Sequence, residues 1–97
     1  MKSVGDIRTT LEQHRQTLEE EYRVREIGIF GSYTKGQQTE SSDVDILVDF
    51  AEPIGLFKFL ELEEYLKVLL GVGVDLVSRK ALKPRIGRHI LEELVTL

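Results

Sequence analysis

The chain has no cysteine and no tryptophan, and only one methionine and two prolines in 97 residues. Without thiols, disulfides and thiolate metal sites are excluded; a reducing compartment is permitted, and the cytoplasm is the expected location. No apolar run approaches the ~20 residues that a membrane-spanning helix needs, and no charged-then-apolar signal segment opens the sequence. A basic surplus is lacking as well. Thirteen Lys and Arg stand against 17 Asp and Glu, and the formal net charge of −4 argues against nucleic-acid binding built on overall charge. Arg79, Lys80, Lys83, Arg85 and Arg88 do cluster near the C-terminus. They read as the solvated approach to a last helix, with a triphosphate or partner contact as the alternative. What is present is the balance of a globular protein, 41% hydrophobic and 31% charged, and residues 1–97 are expected to form one domain around one core.

Apolar periodicity gives the element order. From Asp6 to Tyr22, Ile7, Leu11, Leu18 and Tyr22 fall near one helical stripe, with His14 filling the gap. Val24 to Phe30 suits a buried strand, closed by Gly31-Ser32 and followed by a short helical turn and a polar loop to Ser42. From Asp43 to Phe50 the alternation is clear: Val44, Ile46, Val48 and Phe50 point one way, and Asp43, Asp45, Leu47 and Asp49 the other. Pro53 and Gly55 punctuate the exit to a helix from Leu56 to Leu70 that Gly71 stops. On it, Leu56, Phe59, Leu60 and Leu66 are expected to cover the sheet, with Leu62 and Leu69 toward one flank. Val72 to Val77 is a third strand, and Pro84 precedes an amphipathic helix carrying Ile86, Ile90, Leu91, Leu94 and Val95. Helices interleaved with strands predict an α/β (α+β) fold, a small mixed sheet of three or more strands flanked by helices.

The informative stretch is Gly31-Ser32, ten residues, then Asp43-Val44-Asp45. Two residues apart on a strand, the aspartates share a face about 7 Å apart along the backbone. Carboxylates so placed repel one another, and a divalent cation between them relieves the conflict. Mg²⁺ takes oxygen ligands, commonly one or two carboxylates with substrate phosphates and water. Gly31 lets backbone approach phosphate closely, and Ser32 at a helix start offers a hydroxyl and amides to an anion. Alone, an acidic pair on an alternating strand is most often its solvated face, and a Gly-Ser pair after a strand is most often a turn. Together they have the parts that phosphoryl transfer requires. Asp49 shares the face but lies further along, and its structural reading is favoured. Tyr33 reads as packing or solvent-facing. Gly71-Val72-Gly73 lacks a third glycine and precedes a strand, so it makes no dinucleotide site. His14 and His89 lack metal-ligand spacing.

The run GSYTKGQQTESSDVDILVDF resembles the Gly-Ser…Asp-x-Asp signature of the DNA polymerase β-like nucleotidyltransferases, and most closely the minimal nucleotidyltransferase (MNT) antitoxins that pair with HEPN-type toxins. With the preceding strand, the following apolar helix and Val74-Asp75-Leu76-Val77 in the expected order, the resemblance covers most of the chain. It implies the polymerase β-like fold, with Asp43 and Asp45 as the metal-binding pair and Asp75 as a third carboxylate that helps deprotonate the attacking hydroxyl. Gly31 and Ser32 would bind the nucleotide. Many relatives carry Arg where this chain has Lys35; lysine contacts phosphate as a point charge without arginine's two-pronged geometry, which puts that contact in question. The implied reaction is transfer of AMP from ATP, or of another NMP, to a hydroxyl with two Mg²⁺ ions. The implied acceptor is a tyrosine of a HEPN-type toxin, which makes the chain a type VII-like antitoxin. The alternatives are an antitoxin that acts by binding alone and a subunit serving a small-molecule acceptor. The resemblance implies neither a membrane nor a nucleic-acid partner.

Overall fold

The computed structural model describes residues 3–39, 42–82 and 84–97, with the side chains of Pro84, Arg85, Ile86 and His89 outside the description. The chain begins with α1 (Val4–Gln13) and α2 (Arg15–Tyr22), followed by β1 (Val24–Phe30) and a 3₁₀ turn at Gly31–Tyr33. Next come β2 (Val44–Phe50), α3 (Leu56–Leu70) and β3 (Val74–Ser78), and after a second 3₁₀ turn, α4 (Pro84–Glu93) and β4 (Val95–Thr96). The sheet order is β3-β2-β1-β4, with β1 antiparallel to both β2 and β4 and β2 parallel to β3. The mixed sheet is as expected. No helix among the described residues is long and apolar enough to cross a membrane.

The stretch expected as one helix is two. Ser3 caps α1 in a reciprocal box: Asp6 N–H donates to Ser3 Oγ at 3.2 Å, and Ser3 N–H to Asp6 Oδ2 at 2.9 Å. His14 then leaves helical geometry at φ −112°, ψ 15°, its Nδ1 2.9 Å from the Thr10 carbonyl oxygen. Ile7, Leu11, Leu18 and Tyr22 are all buried, so the stripe was legible and the break was not. α1 packs on α3, and α2 on β1 and α3. Two surfaces must be met, and a single straight rod meets one.

On β2, Val44, Ile46 and Val48 are fully buried under these helices, as alternation predicts. Leu47 is buried too, on the other face, because the C-terminal segment closes over it. There Gly28 is required: a Cβ on it would lie 2.7 Å from Leu94 Cδ1. The two-residue β4, which periodicity did not reveal, pairs Val95 with Ile29 and Thr96 with Gly28.

α3 has the expected bounds, with Gly71 in the left-handed C-cap position. Its inward face differs from expectation. Leu62, Leu66 and Leu70 are the buried leucines, whereas Leu56 and Leu60 face solvent. Both sets recur every four residues, so composition alone could not choose between two apolar stripes. Burying each inward leucine contributes about 1.5–3 kcal/mol. β3 starts at Val74, two residues later than expected, since Val72 and Gly73 belong to the turn leaving α3.

Candidate active site

Gly31, Asp43, Asp45 and Asp75 come together at the end of the sheet where β1 finishes and β2 and β3 begin. Antiparallel pairing sets Phe30 opposite Asp45, and parallel pairing sets Asp45 opposite Asp75. Adjacent strands lie about 4.8 Å apart, and in-register residues share a face, so Asp45 and Asp75 are immediate neighbours. Asp43 precedes β2, and the backbone there is fixed by the Val44 N–H donating to the Gly73 carbonyl at 2.8 Å. A Cβ on Gly73 would collide with the Asp43 carboxylate. The helices and Val44, Ile46 and Val48 occupy the opposite face.

Gly31 sits at φ +78°, left-handed backbone that favours glycine, and a Cβ there would fall on Asp45 Oδ2. Its carbonyl accepts from Thr34 N–H at 3.2 Å, Lys35 N–H at 3.3 Å and Thr34 Oγ1 at 2.8 Å, which fixes the turn. Ser32 is half-buried inside it. One 3₁₀ turn has too little length for a helix dipole, so its anion affinity would come from its amides and hydroxyl.

The Asp45 carboxyl is held above its ordinary value of 3.8, chiefly by burial, then by the charges of Asp75 and Asp43 and a hydrogen bond with Asp75. Three carboxylates crowd one sheet end, and the excess negative charge there favours the protonated form of Asp45. A divalent cation would relieve the same excess. The donors are all carboxylate oxygens, which suits a hard ion such as Mg²⁺. Among the described residues, no three acidic, imidazole or thiol side chains converge on a single ion position.

The remaining expected residues separate. Lys35 pairs with Glu93 at 3.0 Å. Glu93 had no sequence signal, because its proximity arises from β4 pairing with β1. Asp49 is structural: it is 5% exposed and ion-paired to Arg25, the extra residue of a bulge in β1. Tyr33 is buried, and His14, between α1 and α2, bonds back to the Thr10 carbonyl. Of the basic cluster, Arg79 lies 3.5 Å from Glu26, whereas Lys83 and the side chain of Arg85 lie outside the described residues, as does the side chain of His89.

A nucleotidyltransferase domain model matches residues 11–97. The protein adenylyltransferase MntA of Thermococcus cleftensis is 52% identical over 95 residues, covering 98% of this chain and 96% of the relative. A solved structure assigned as a minimal nucleotidyltransferase superposes with a TM-score of 0.84 at 32% identity, covering 99% of this chain and 97% of the other. A toxin–antitoxin structure with AMP-PNP has a chain that superposes with a TM-score of 0.74 at 26% identity, covering 88% of this chain and 69% of that one. With the domain model spanning nearly the whole sequence and more than half of the aligned residues shared with MntA, the chain belongs to the nucleotidyltransferase domain family, among its minimal members.

Proposed function

We propose that this chain transfers AMP from ATP to a hydroxyl of a partner protein, a tyrosine of a HEPN-type toxin, and so acts as a type VII-like antitoxin in the cytoplasm. The observation that carries the reading is the seating of the Asp45 carboxylate against Gly31 and opposite Asp75. A phosphate-accepting turn and a crowded carboxylate group thus share one sheet end. The relative named as a protein adenylyltransferase and the toxin–antitoxin neighbour with AMP-PNP support the choice of nucleotide and acceptor.

Asp43, Asp45 and Asp75 would hold two Mg²⁺ ions, which when bound stabilise charge on the entering and leaving oxygens. The Gly31–Ser32 turn receives triphosphate oxygens on its amides, and Lys35, exchanging Glu93 for phosphate, adds one positive charge. The acceptor oxygen attacks the α-phosphorus in line. A new O–P bond forms as the bond to the α–β bridging oxygen breaks, and pyrophosphate departs with that electron pair. The hydroxyl proton passes to Asp75. That carboxylate is exposed and lies on β3, an edge strand, where a hydroxyl carried on a macromolecule can reach it.

The test is intact-mass measurement of the HEPN partner after incubation with this chain, ATP and Mg²⁺. One or more AMP additions are expected, and none with Asp43→Asn/Asp45→Asn, which should stay folded because it keeps the side-chain shapes and removes mutually repelling charges. Full transfer by that double variant, or none by the unaltered chain, would reject the assignment.

A further inference from the structure

One ion pair joins the Gly31–Ser32 turn to the far end of the sequence, Lys35 Nζ to Glu93 Oε1 at 3.0 Å. Among the described residues, the other lysine pairs lie within α3, Lys58 with Glu61 and Lys67 with Glu63 and Glu64. Those link neighbouring turns of one helix, whereas the Lys35 pair ties two elements together. Its two members are held differently. Glu93 closes α4 and leads directly into β4, where Val95 pairs with Ile29 and Thr96 with Gly28. The Leu97 N–H then donates to the Ile27 carbonyl at 3.2 Å, so the backbone that carries Glu93 is moored to β1. Lys35 is fixed at its backbone: its own N–H donates to the Gly31 carbonyl at 3.3 Å, and the Gln37 N–H to the Ser32 carbonyl at 2.9 Å. Its side chain is 48% exposed against 23% for Glu93, and a flexible four-carbon stem lets the ammonium re-aim.

An ammonium is a compact charge, and a carboxylate 3.0 Å away offsets much of its field. While Glu93 holds it, Lys35 adds little to the attraction of the turn for an anion. A triphosphate on the amides of the turn carries several negative charges and competes for the same ammonium. Glu93, moored by β4, does not follow, so Lys35 must leave it. Binding through Lys35 therefore breaks the pair, and the observed affinity is the intrinsic one lowered by the cost of breaking it. The half-buried setting of Glu93 makes that cost larger than for a pair in open solvent.

We propose that Glu93 is a positioning residue that sets the nucleotide affinity of the transfer site, by holding Lys35 in the empty protein and releasing it to the triphosphate. The inference rests on the reading above that the Gly31–Ser32 turn and Lys35 bind triphosphate. It gives the C-terminal segment a part in the site, exerted through Lys35.

The experiment measures binding of α,β-methylene ATP in the presence of Mg²⁺ by calorimetry, beside thermal unfolding of the free and the saturated chain. This analogue cannot be cleaved at the bond that transfer breaks. Glu93→Gln keeps the side-chain shape and removes the charge, and it should tighten binding about two- to fivefold. A residue that merely supports the fold would loosen binding when changed. Glu63→Gln, which removes a lysine-paired carboxylate from α3, serves as control and should leave the affinity unchanged. Lys35→Met should weaken binding, and adding Glu93→Gln to it should change the affinity no further. In the free chain, Glu93→Gln should lower the melting temperature by a few degrees. Saturation with the analogue should close that gap, because the pair is already broken in the complex. Unchanged or weaker binding by a folded Glu93→Gln chain, or undiminished binding by Lys35→Met, overturns the inference and leaves the transfer reading intact. So does equal tightening by Glu93→Gln with and without Lys35, which would mark a general repulsion between carboxylate and phosphate. If the unaltered chain does not bind the analogue, the triphosphate reading falls and this inference falls with it.

Discussion

The Cβ that any residue other than glycine would carry at position 31 falls on the carboxylate of Asp45. Gly31 therefore has two separate duties, a left-handed backbone at φ +78° and clearance for a side chain on the neighbouring strand. Gly31→Ala should cost about 1–2 kcal/mol in stability from the backbone alone. It should also lower AMP transfer more than tenfold by displacing Asp45. Paired denaturation and transfer assays check both. A branched residue there would strain the fold as well as the turn proposed to bind phosphate, so its effects on binding and on stability will not separate.

Asp45 gives a pH signature in the metal-free protein. Its folded value is raised above the ordinary 3.8, so the folded state binds more protons than the unfolded chain once pH exceeds that value. The stability it contributes is full below the unfolded value and is lost as pH rises through the folded one. Asp45→Asn should therefore show a shallower decline in stability with rising pH than the unaltered chain. Chemical denaturation at a series of pH values in chelator measures the difference, and identical slopes would contradict the crowding described at the site.

The two faces of α3 differ in what truncation costs. Leu62→Ala removes a fully buried side chain and should destabilise by about 2–5 kcal/mol. Leu56→Ala, on the outward stripe, should stay within about 0.5 kcal/mol. Urea titration of the two variants reads this directly. Equal losses would mean that the helix is rotated from its described orientation.

Asp49 is buried beneath the guanidinium of Arg25 and lies away from the transfer chemistry. Arg25→Met strands its charge and should lower the melting temperature by several degrees while transfer activity at permissive temperature is retained. Adding Asp49→Leu should restore the melting temperature, because replacing both partners removes the desolvated charge. A loss of transfer matching that of the Asp43/Asp45 variant would instead place Asp49 in the site.

By itself the sequence determined the features whose causes are local. Strand alternation put Asp43, just ahead of β2, and Asp45 on one face, and Gly31 and Gly71 marked turns that need left-handed backbone. Leucine periodicity fixed the bounds of α3, and the Gly-Ser…Asp-x-Asp run pointed to the right family. Only the tertiary structure decided features that depend on contacts remote in sequence. Parallel register sets Asp75 on Asp45; a shift of one residue would have turned its carboxylate to the opposite face. β4 pairing with β1 brings Glu93 to Lys35, and the bulge at Arg25 accompanies its pairing with Asp49. For α3, two leucine stripes of the same period competed for the sheet. Their spacing is degenerate, and which one faces inward follows from how the helix seats on the layer of α1, α2 and the sheet.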